Sequence, residues 1–171
     1  MRKILPALLL LLALAACATP AASTPSSHPA EFQPCAYLWA SQELPEISAA
    51  LQAGIQQQMP EASARASAYG ENCVAPDGTS TFSAMETDFY LTIPAADLKD
   101  DAALGALVEQ ALAVIDQFSA PRVPGPKEGF VEFTFTHGGD QRIVRVPIQL
   151  GKAVRAQGLH GAALIQAAEN P

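Results

Sequence analysis

The stretch METDFYLTIP, residues 85–94, alternates apolar and polar side chains along its length. One set consists of Met85, Thr87, Phe89, Leu91 and Ile93, and the other of Glu86, Asp88, Tyr90 and Thr92. Successive side chains of a β-strand point to opposite faces, so this period of two predicts a strand with one buried face and one polar face. Pro94 then ends the strand, because proline cannot donate a ladder hydrogen bond.

A second strand is predicted just before it. Ala62, Ala64, Ala66 and Ala68 alternate with Ser63, Arg65, Ser67 and Tyr69, a pattern typical of a strand whose buried face is made of small side chains. Between the two strands, Asp77-Gly78 is a turn signal. The two stretches therefore predict a hairpin whose small face allows a helix to cross closely.

Helices are predicted on both sides of this hairpin. Before it, apolar residues recur at steps of three and four, at Leu44, Ile47, Leu51, Ile55 and Met59. Pro45 suits the first turn of that helix and Pro60 ends it. After the hairpin, Asp100 is a suitable cap for a second helix, whose apolar face is Leu104, Leu107, Val108, Ala111, Ile115 and Phe118.

A second hairpin follows the loop SAPRVPGPKEG, residues 119–129. Val131, Phe133 and Phe135 alternate with polar residues, and His137-Gly138-Gly139-Asp140 is a tight-turn sequence. The returning strand has its apolar face at Val144, Val146, Ile148 and Leu150, and Pro147 favours an edge position. Residues 151–168 are predicted to be a helix, bent or broken at 158–161.

The predicted order is αββαββα, which indicates an α+β fold. We expect a two-layer sandwich with a four-stranded antiparallel sheet and helices on one face. Residues 35–171 form a single domain in this interpretation, because that length supports one core. The periodicity leaves the strand order open.

The amino terminus is typical of an export signal. Arg2 and Lys3 precede an uncharged apolar run, 4–16, that is too short to span a bilayer. Leu14-Ala15-Ala16-Cys17 resembles the lipobox of bacterial lipoproteins. The resemblance implies that residues 1–16 are a signal peptide and that Cys17 carries the lipid. Residues 17–34, rich in Pro, Ser and Thr, then follow as a tether with a reach of about 50 Å.

The resemblance and the charge together predict a location and exclude one class of partner. Ala18 lacks the aspartate that retains many lipoproteins in the inner membrane, so we expect the outer membrane in a two-membrane bacterium, or the outer face of the cell membrane where there is only one. Cleavage before Cys17 removes Arg2 and Lys3 and leaves a formal net charge of −9. Such a chain has no basic stripe for nucleic acid, and its membrane contact is expected through the lipid.

The other two cysteines, Cys35 and Cys73, are expected to form a disulfide in an oxidising compartment. Such a bridge closes a loop of about 38 residues and contributes about 3 to 4 kcal/mol in the chain-entropy model. It would hold the start of the domain to the first hairpin. Trp39, the one tryptophan, is expected to pack in the core beside it, with carbohydrate stacking as the alternative.

If each strand buries its apolar side, the other sheet face is polar and aromatic. Its residues would be Arg65, Ser67, Tyr69, Glu71, Glu86, Asp88, Tyr90, Glu132, Thr134 and Arg145. Such a face is either simply solvated or suited to recognising a polar partner or a sugar. Glu86 and Asp88 are also spaced as an acid/base pair, roughly 7 Å apart along a strand. Calcium held by Glu71, Asp77, Glu86 and Asp88 is a further alternative, although the spacing matches no calcium loop.

The sequence therefore predicts a lipid-anchored envelope protein with a small, non-catalytic binding or scaffolding domain. Its partner would be another envelope protein or polymer, recognised mainly by Arg65, Tyr69, Glu71, Glu86, Asp88, Tyr90, Glu132 and Arg145. Two alternatives remain open at this stage, an envelope-polymer hydrolase using the carboxylates of that face and a solute-binding accessory of a transporter. No cofactor or nucleotide motif is present in the sequence.

Overall fold

The computed structural model describes residues 35–118 and 121–170; the predicted signal peptide, Cys17 and the tether lie outside the described residues. The strands are β1 Ala36–Glu43, β2 Ser63–Val74, β3 Ser80–Pro94, β4 Lys127–His137 and β5 Asp140–Pro147. The helices are α1 Pro45–Gln56, α2 Asp101–Ile115, α3 Ile148–Ala156 and α4 Ala162–Glu169. The strands form one sheet in the order β1-β2-β3-β4-β5.

The α+β class is confirmed, but the prediction of four antiparallel strands is wrong. The sheet has five strands, and β3 pairs with β4 in parallel, whereas the other neighbours are antiparallel. The parallel pair follows from the connection between the two predicted hairpins. Since α2 carries the chain from the end of β3 back to the start of β4, it acts as the crossover that parallel neighbours require.

Strand β1 is the element that the sequence interpretation missed. Its sequence, AYLWASQE, puts Tyr37, Leu38 and Trp39 side by side, and this apolar run hides the alternation of the strand. In the structure these three side chains are 64%, 58% and 64% exposed. The prediction that Trp39 packs in the core is therefore wrong, because β1 is an edge strand whose two faces both remain open beside β2.

The predicted helix ends and breaks largely agree with the structure. Pro45 opens α1, and the Asp100 carboxylate caps α2 by accepting from the N–H groups of Ala102 and Ala103 at 3.1 and 3.0 Å. The last helix is broken where expected, because Gly158 and Gly161 have φ angles of +74° and +54° that other residues rarely adopt. It begins at Ile148 rather than at 151, so Ile148 and Leu150 belong to a helix and not to the strand.

The hydrophobic core lies between one face of the sheet and the helices. Phe89, Leu91, Phe133 and Phe135 are among its largest fully buried side chains. On β2 the corresponding positions are alanines, with Ala66 fully buried. These small side chains let α1 approach the strand closely, as the sequence pattern predicts.

Helix α1 also completes the hydrogen bonding of β2 beyond the end of β1. The Ala66 N–H donates to Ser48 Oγ at 2.9 Å, and the Ala64 N–H donates to Gln52 Oε1 at 2.6 Å. Both donors lie on the edge of β2 that pairs with β1 farther along the strand. The Ala66 carbonyl identifies this edge, because it accepts a hydrogen bond from the Leu44 N–H. Side chains of α1 therefore replace a missing strand there.

The disulfide predicted between Cys35 and Cys73 is present, with the two Cα atoms 5.3 Å apart. It joins the residue before β1 to the far end of β2. Among the described helices, none is both long enough and apolar enough to cross a membrane.

Candidate functional site

The outer face of the sheet is the side opposite the hydrophobic core, and its central row crosses four strands. Arg65 of β2 lies opposite Tyr90 of β3, Tyr90 opposite Glu132 of β4, and Glu132 opposite Arg145 of β5. Side chains at such neighbouring positions are close enough to interact directly. No described helix covers this row, whose arginines are exposed and whose Tyr90 and Glu132 are half-buried.

An arginine–aromatic cluster, made of Arg65, Tyr90, Phe130 and Arg145, forms the centre of this face. The Arg65 guanidinium carbon lies 3.9 Å from the centroid of the Tyr90 ring, and that of Arg145 lies 4.4 Å from the Phe130 centroid. The two rings meet edge to face at 5.7 Å. Since a cation over a ring and an edge-to-face pair are both attractive, the four side chains hold one another in place.

Two carboxylates bind the outer ends of the cluster. Glu43 of β1 pairs with Arg65 at 3.3 Å, and Glu132 pairs with Arg145. Both ion pairs are substantially exposed, with the arginine side chains 51% and 59% accessible. They contribute little to stability, but they orient the guanidinium groups over the rings.

A second aromatic group lies beside the cluster, toward the β1 edge. The Trp39 and Tyr69 rings stack with their centroids 5.6 Å apart and their planes inclined by 11°. Tyr37, on the same face of β1, is 64% exposed. Together with the cluster, these side chains give the outer face its aromatic and arginine character.

Asp88 lies beneath this layer and has a structural contact. It is 3% exposed, and its Oδ1 accepts the Phe130 N–H at 3.2 Å. The contact lies where the register of β3 against β4 shifts between Thr87 and Phe89, so the carboxylate satisfies a donor at an irregularity of the ladder. Burial raises the pKa of Asp88; the Phe130 hydrogen bond opposes that rise, and the neighbouring Glu86 adds to it.

The structure places all eight residues predicted for a binding face on the outer face, although not all of them are accessible. Arg65 and Arg145 are exposed; Tyr69, Glu71, Glu86, Tyr90 and Glu132 are half-buried. The expectation that Asp88 and Ser67 face solvent is wrong, because each is only 3% exposed. Strand alternation assigns a face correctly, but it does not reveal how far neighbouring strands bury a short side chain on that face.

Three aromatic residues of this face were not assigned to it from the sequence: Tyr37, Trp39 and Phe130. Phe130 is two positions before Glu132 on β4, so the alternation that assigned Glu132 also places Phe130 on the outer face. For Tyr37 and Trp39, the signal was their spacing of two within AYLWASQE. It was obscured by Leu38 between them.

Replacing the buried carboxylate by an amide tests its raised pKa. The folded protein retains the Asp88 proton to a higher pH than the unfolded chain does. The contribution of Asp88 to stability therefore falls as pH rises from the ordinary pKa of 3.8 through the folded pKa, and it is constant above that. Asp88→Asn removes this fall, and we expect the variant to gain stability relative to the wild type as pH rises. Urea unfolding of both proteins between about pH 3 and pH 7 measures that difference. Parallel pH profiles would contradict it.

The carboxylates predicted for calcium binding or catalysis, Glu71, Asp77, Glu86 and Asp88, belong to no metal-binding group among the described residues. Within residues 35–118 and 121–170, no group of three His, Cys, Asp or Glu side chains is arranged to hold a metal ion. Asp77 instead accepts from the N–H and hydroxyl of Thr79 at 2.9 and 2.7 Å, which closes the β2–β3 turn. A cavity of about 50 Å³ between the end of α2 and the start of β4 is lined by neither Glu86 nor Asp88.

The outer face is therefore a preordered surface of rings and guanidinium groups, suited to contact with a partner rather than to enclosing a small molecule.

No known family model, no curated protein and no solved structure matches the chain.

Proposed function

We propose that this chain is a lipid-anchored cell-envelope protein whose α+β domain binds another envelope component through its outer face, without catalysis. The observation that supports this most is the arginine–aromatic cluster together with the exposed rings of Tyr37 and Trp39. Folding leaves this apolar and cationic surface open to solvent instead of burying it against a described helix.

The composition of the face is that of a recognition surface. Aromatic and arginine side chains are enriched where proteins bind partners, and they supply most of the binding energy there. The cation–ring contacts at 3.9 and 4.4 Å already restrict these side chains before binding. Less side-chain entropy is therefore lost when a partner binds.

The half-buried carboxylates add polar specificity at the rim. Glu71 lies opposite Trp39, and Glu86 lies opposite Tyr69. A partner that contacts the rings there meets an acidic border, so basic, hydroxyl or amide groups on the partner would be hydrogen-bonded. An envelope protein or a polymer with such groups fits this chemistry.

The lipid anchor is the second half of the proposal. Cys17 would carry the acyl chains, and the tether 17–34 would hold the domain at up to about 50 Å from the headgroups. The outer face could then reach a partner beyond the membrane surface. Because Ala18 follows the cysteine, we place the anchor in the outer membrane if the bacterium has two membranes, and otherwise on the outer face of the cell membrane.

A hydrolase using Glu86 and Asp88 is less well supported by the geometry. A catalytic acid or base must reach the substrate proton directly or through one water. Asp88 is 3% exposed and its Oδ1 is bonded to the Phe130 N–H. No described feature specifically favours a solute-binding accessory of a transporter.

Crosslinking and affinity capture of the full-length protein from native membranes test the proposal. Arg65→Ala/Arg145→Ala removes both cations of the cluster, and we expect the specific partner recovered with the wild type to be lost. The matched control is Arg122→Ala/Lys152→Ala. It removes the same charge, one ring contact and one ion pair from the helix side, and it should retain the partner.

The outcomes separate the two halves of the proposal. Recovery of the same partner by both double variants would overturn the outer face as the binding site. Cys17→Ser tests the anchor independently, because it should release the protein from the membrane fraction and abolish the acyl mass. A Cys17→Ser protein that still carries acyl chains at the membrane would overturn the lipidation site.

A further inference from the structure

The outer edge of β1 presents backbone groups that no other described strand pairs with. Among the described residues β1 pairs only with β2, and the Leu44 N–H donates to Ala66 across that pair. Backbone groups of an antiparallel strand alternate between its two edges. The N–H and C=O groups of Tyr37, Trp39, Ser41 and Glu43 therefore point away from β2, toward the open edge.

The two edges of the sheet differ in how they are protected. β5 has Asp140, Arg142 and Arg145 along its length and Pro147 at its end, which are features that block pairing with another strand. β1 has one charged residue, Glu43, and its charge is balanced by Arg65 at 3.3 Å. A strand of eight residues whose first half is apolar and whose single charge is already ion-paired is a template for another strand.

We propose that β1 pairs antiparallel with β1 of a second copy of this chain, about a two-fold axis at Ala40. The two sheets then join into one continuous sheet of ten strands, five from each copy. This inference does not rest on the proposed function, because it is argued from the backbone groups of the β1 edge, but Tyr37 and Trp39 contribute side chains both to this edge and to the proposed binding face.

The register follows from which backbone groups are free. With the axis at Ala40, Trp39 lies opposite Ser41 of the second copy, and Tyr37 lies opposite Glu43. All four outward-facing residues of each strand then form hydrogen-bonded pairs. Large side chains also face smaller ones, and the two Glu43 carboxylates lie at opposite ends of the interface.

Shifted two-fold registers fit less well. An axis at Ser41 puts Tyr37 opposite Pro45, which has no N–H to donate. An axis at Trp39 places the two indole rings directly opposite each other and pairs Glu43 with Cys35, a residue outside the strand. The axis at Ala40 is the one that keeps every hydrogen-bonded pair within β1.

A self-crosslink tests both the dimer and its register. In a pair without ladder hydrogen bonds the two Cα atoms lie about 4.5 Å apart, within the range that a disulfide spans. Ala40→Cys in the full chain should therefore form a covalent dimer under mild oxidation. The matched control is Gln42→Cys on the same face, because its two copies would lie about 14 Å apart and should not crosslink.

A second variant removes the pairing without adding a thiol. Ser41→Pro deletes an outward N–H and spares the bonds to β2, and Ser41→Ala is its control because it keeps that N–H. Sedimentation of the full chain, with detergent micelles in excess, should give a dimer mass for the wild type and for Ser41→Ala. For Ser41→Pro the dissociation constant should rise roughly tenfold or more, since two hydrogen bonds are lost per dimer.

The results decide between the dimer and its alternatives. A one-chain mass for the wild type, together with no crosslink at residue 40, overturns the proposal. Equal crosslinking at residues 40 and 42 overturns the register and indicates unspecific contact. A Ser41→Pro protein that folds, as judged by circular dichroism, and dimerises as tightly as the wild type excludes the β1 edge as the interface. The crosslinking result stands even if that variant does not fold.

Discussion

Cys35→Ala/Cys73→Ala is expected to lower the free energy of unfolding by about 4 kcal/mol. The bridge closes a separation of 38 residues, so removing it returns a large loop-closure entropy to the unfolded chain. The effect should also be local, because β1 is an edge strand and the bridge ties the residue before it to β2. Without the bridge we expect β1 to open before the rest of the sheet.

Urea unfolding measures the global loss, and amide hydrogen exchange over 36–43 measures the local one. Adding a reductant to the wild type should reproduce the unfolding curve of the double variant. The double variant itself should be unaffected by the reductant, which serves as the control. A loss below about 1 kcal/mol would mean that the reduced, unfolded chain keeps its ends close without the bond.

Gly129→Ala is expected to cost about 3 kcal/mol of stability, from overpacking and from a lost buried hydrogen bond. A Cβ at residue 129 would lie 2.2 Å from Asp88 Oδ1 and 2.6 Å from the Thr87 carbonyl oxygen. The second atom belongs to the backbone of β3, so β4 must move away. That displacement would separate Asp88 from the Phe130 N–H and tilt the Phe130 ring out of the arginine–aromatic cluster.

Gly139→Ala is the matched control, because nothing lies within 4 Å of a Cβ at that position. It should change stability by no more than about 0.5 kcal/mol. Thermal or urea unfolding of both variants tests the prediction. Equal stability of the two would show that β4 does not need to approach β3 as closely as the structure has it.

The sequence by itself determines the elements whose signals lie within a short segment of the chain. Alternation in METDFYLTIP and in the alanine strand reports which side chains share a face, since strand geometry depends only on neighbouring residues. Pro45 and Asp100 mark helix starts, and Gly158 and Gly161 mark a break, because these signals concern one turn of backbone. The pairing of Cys35 with Cys73 could also be predicted, since they are the two cysteines that remain when Cys17 is assigned to the predicted lipobox.

Tertiary structure alone decides which strands become neighbours and what covers each residue. The parallel pairing of β3 with β4 arises because α2 returns the chain across the sheet, and β1 becomes a strand because β2 offers it a partner. For the same reason, Asp88 is buried although it was expected on the exposed face, and Trp39 is exposed although it was expected in the core. Burial of Asp88 depends on residues from other parts of the chain, among them Phe130, 42 positions away, and Trp39 stays exposed because no described element packs over the edge strand. Periodicity within a short segment carries no information about such distant contacts, whereas packing energies between segments decide them.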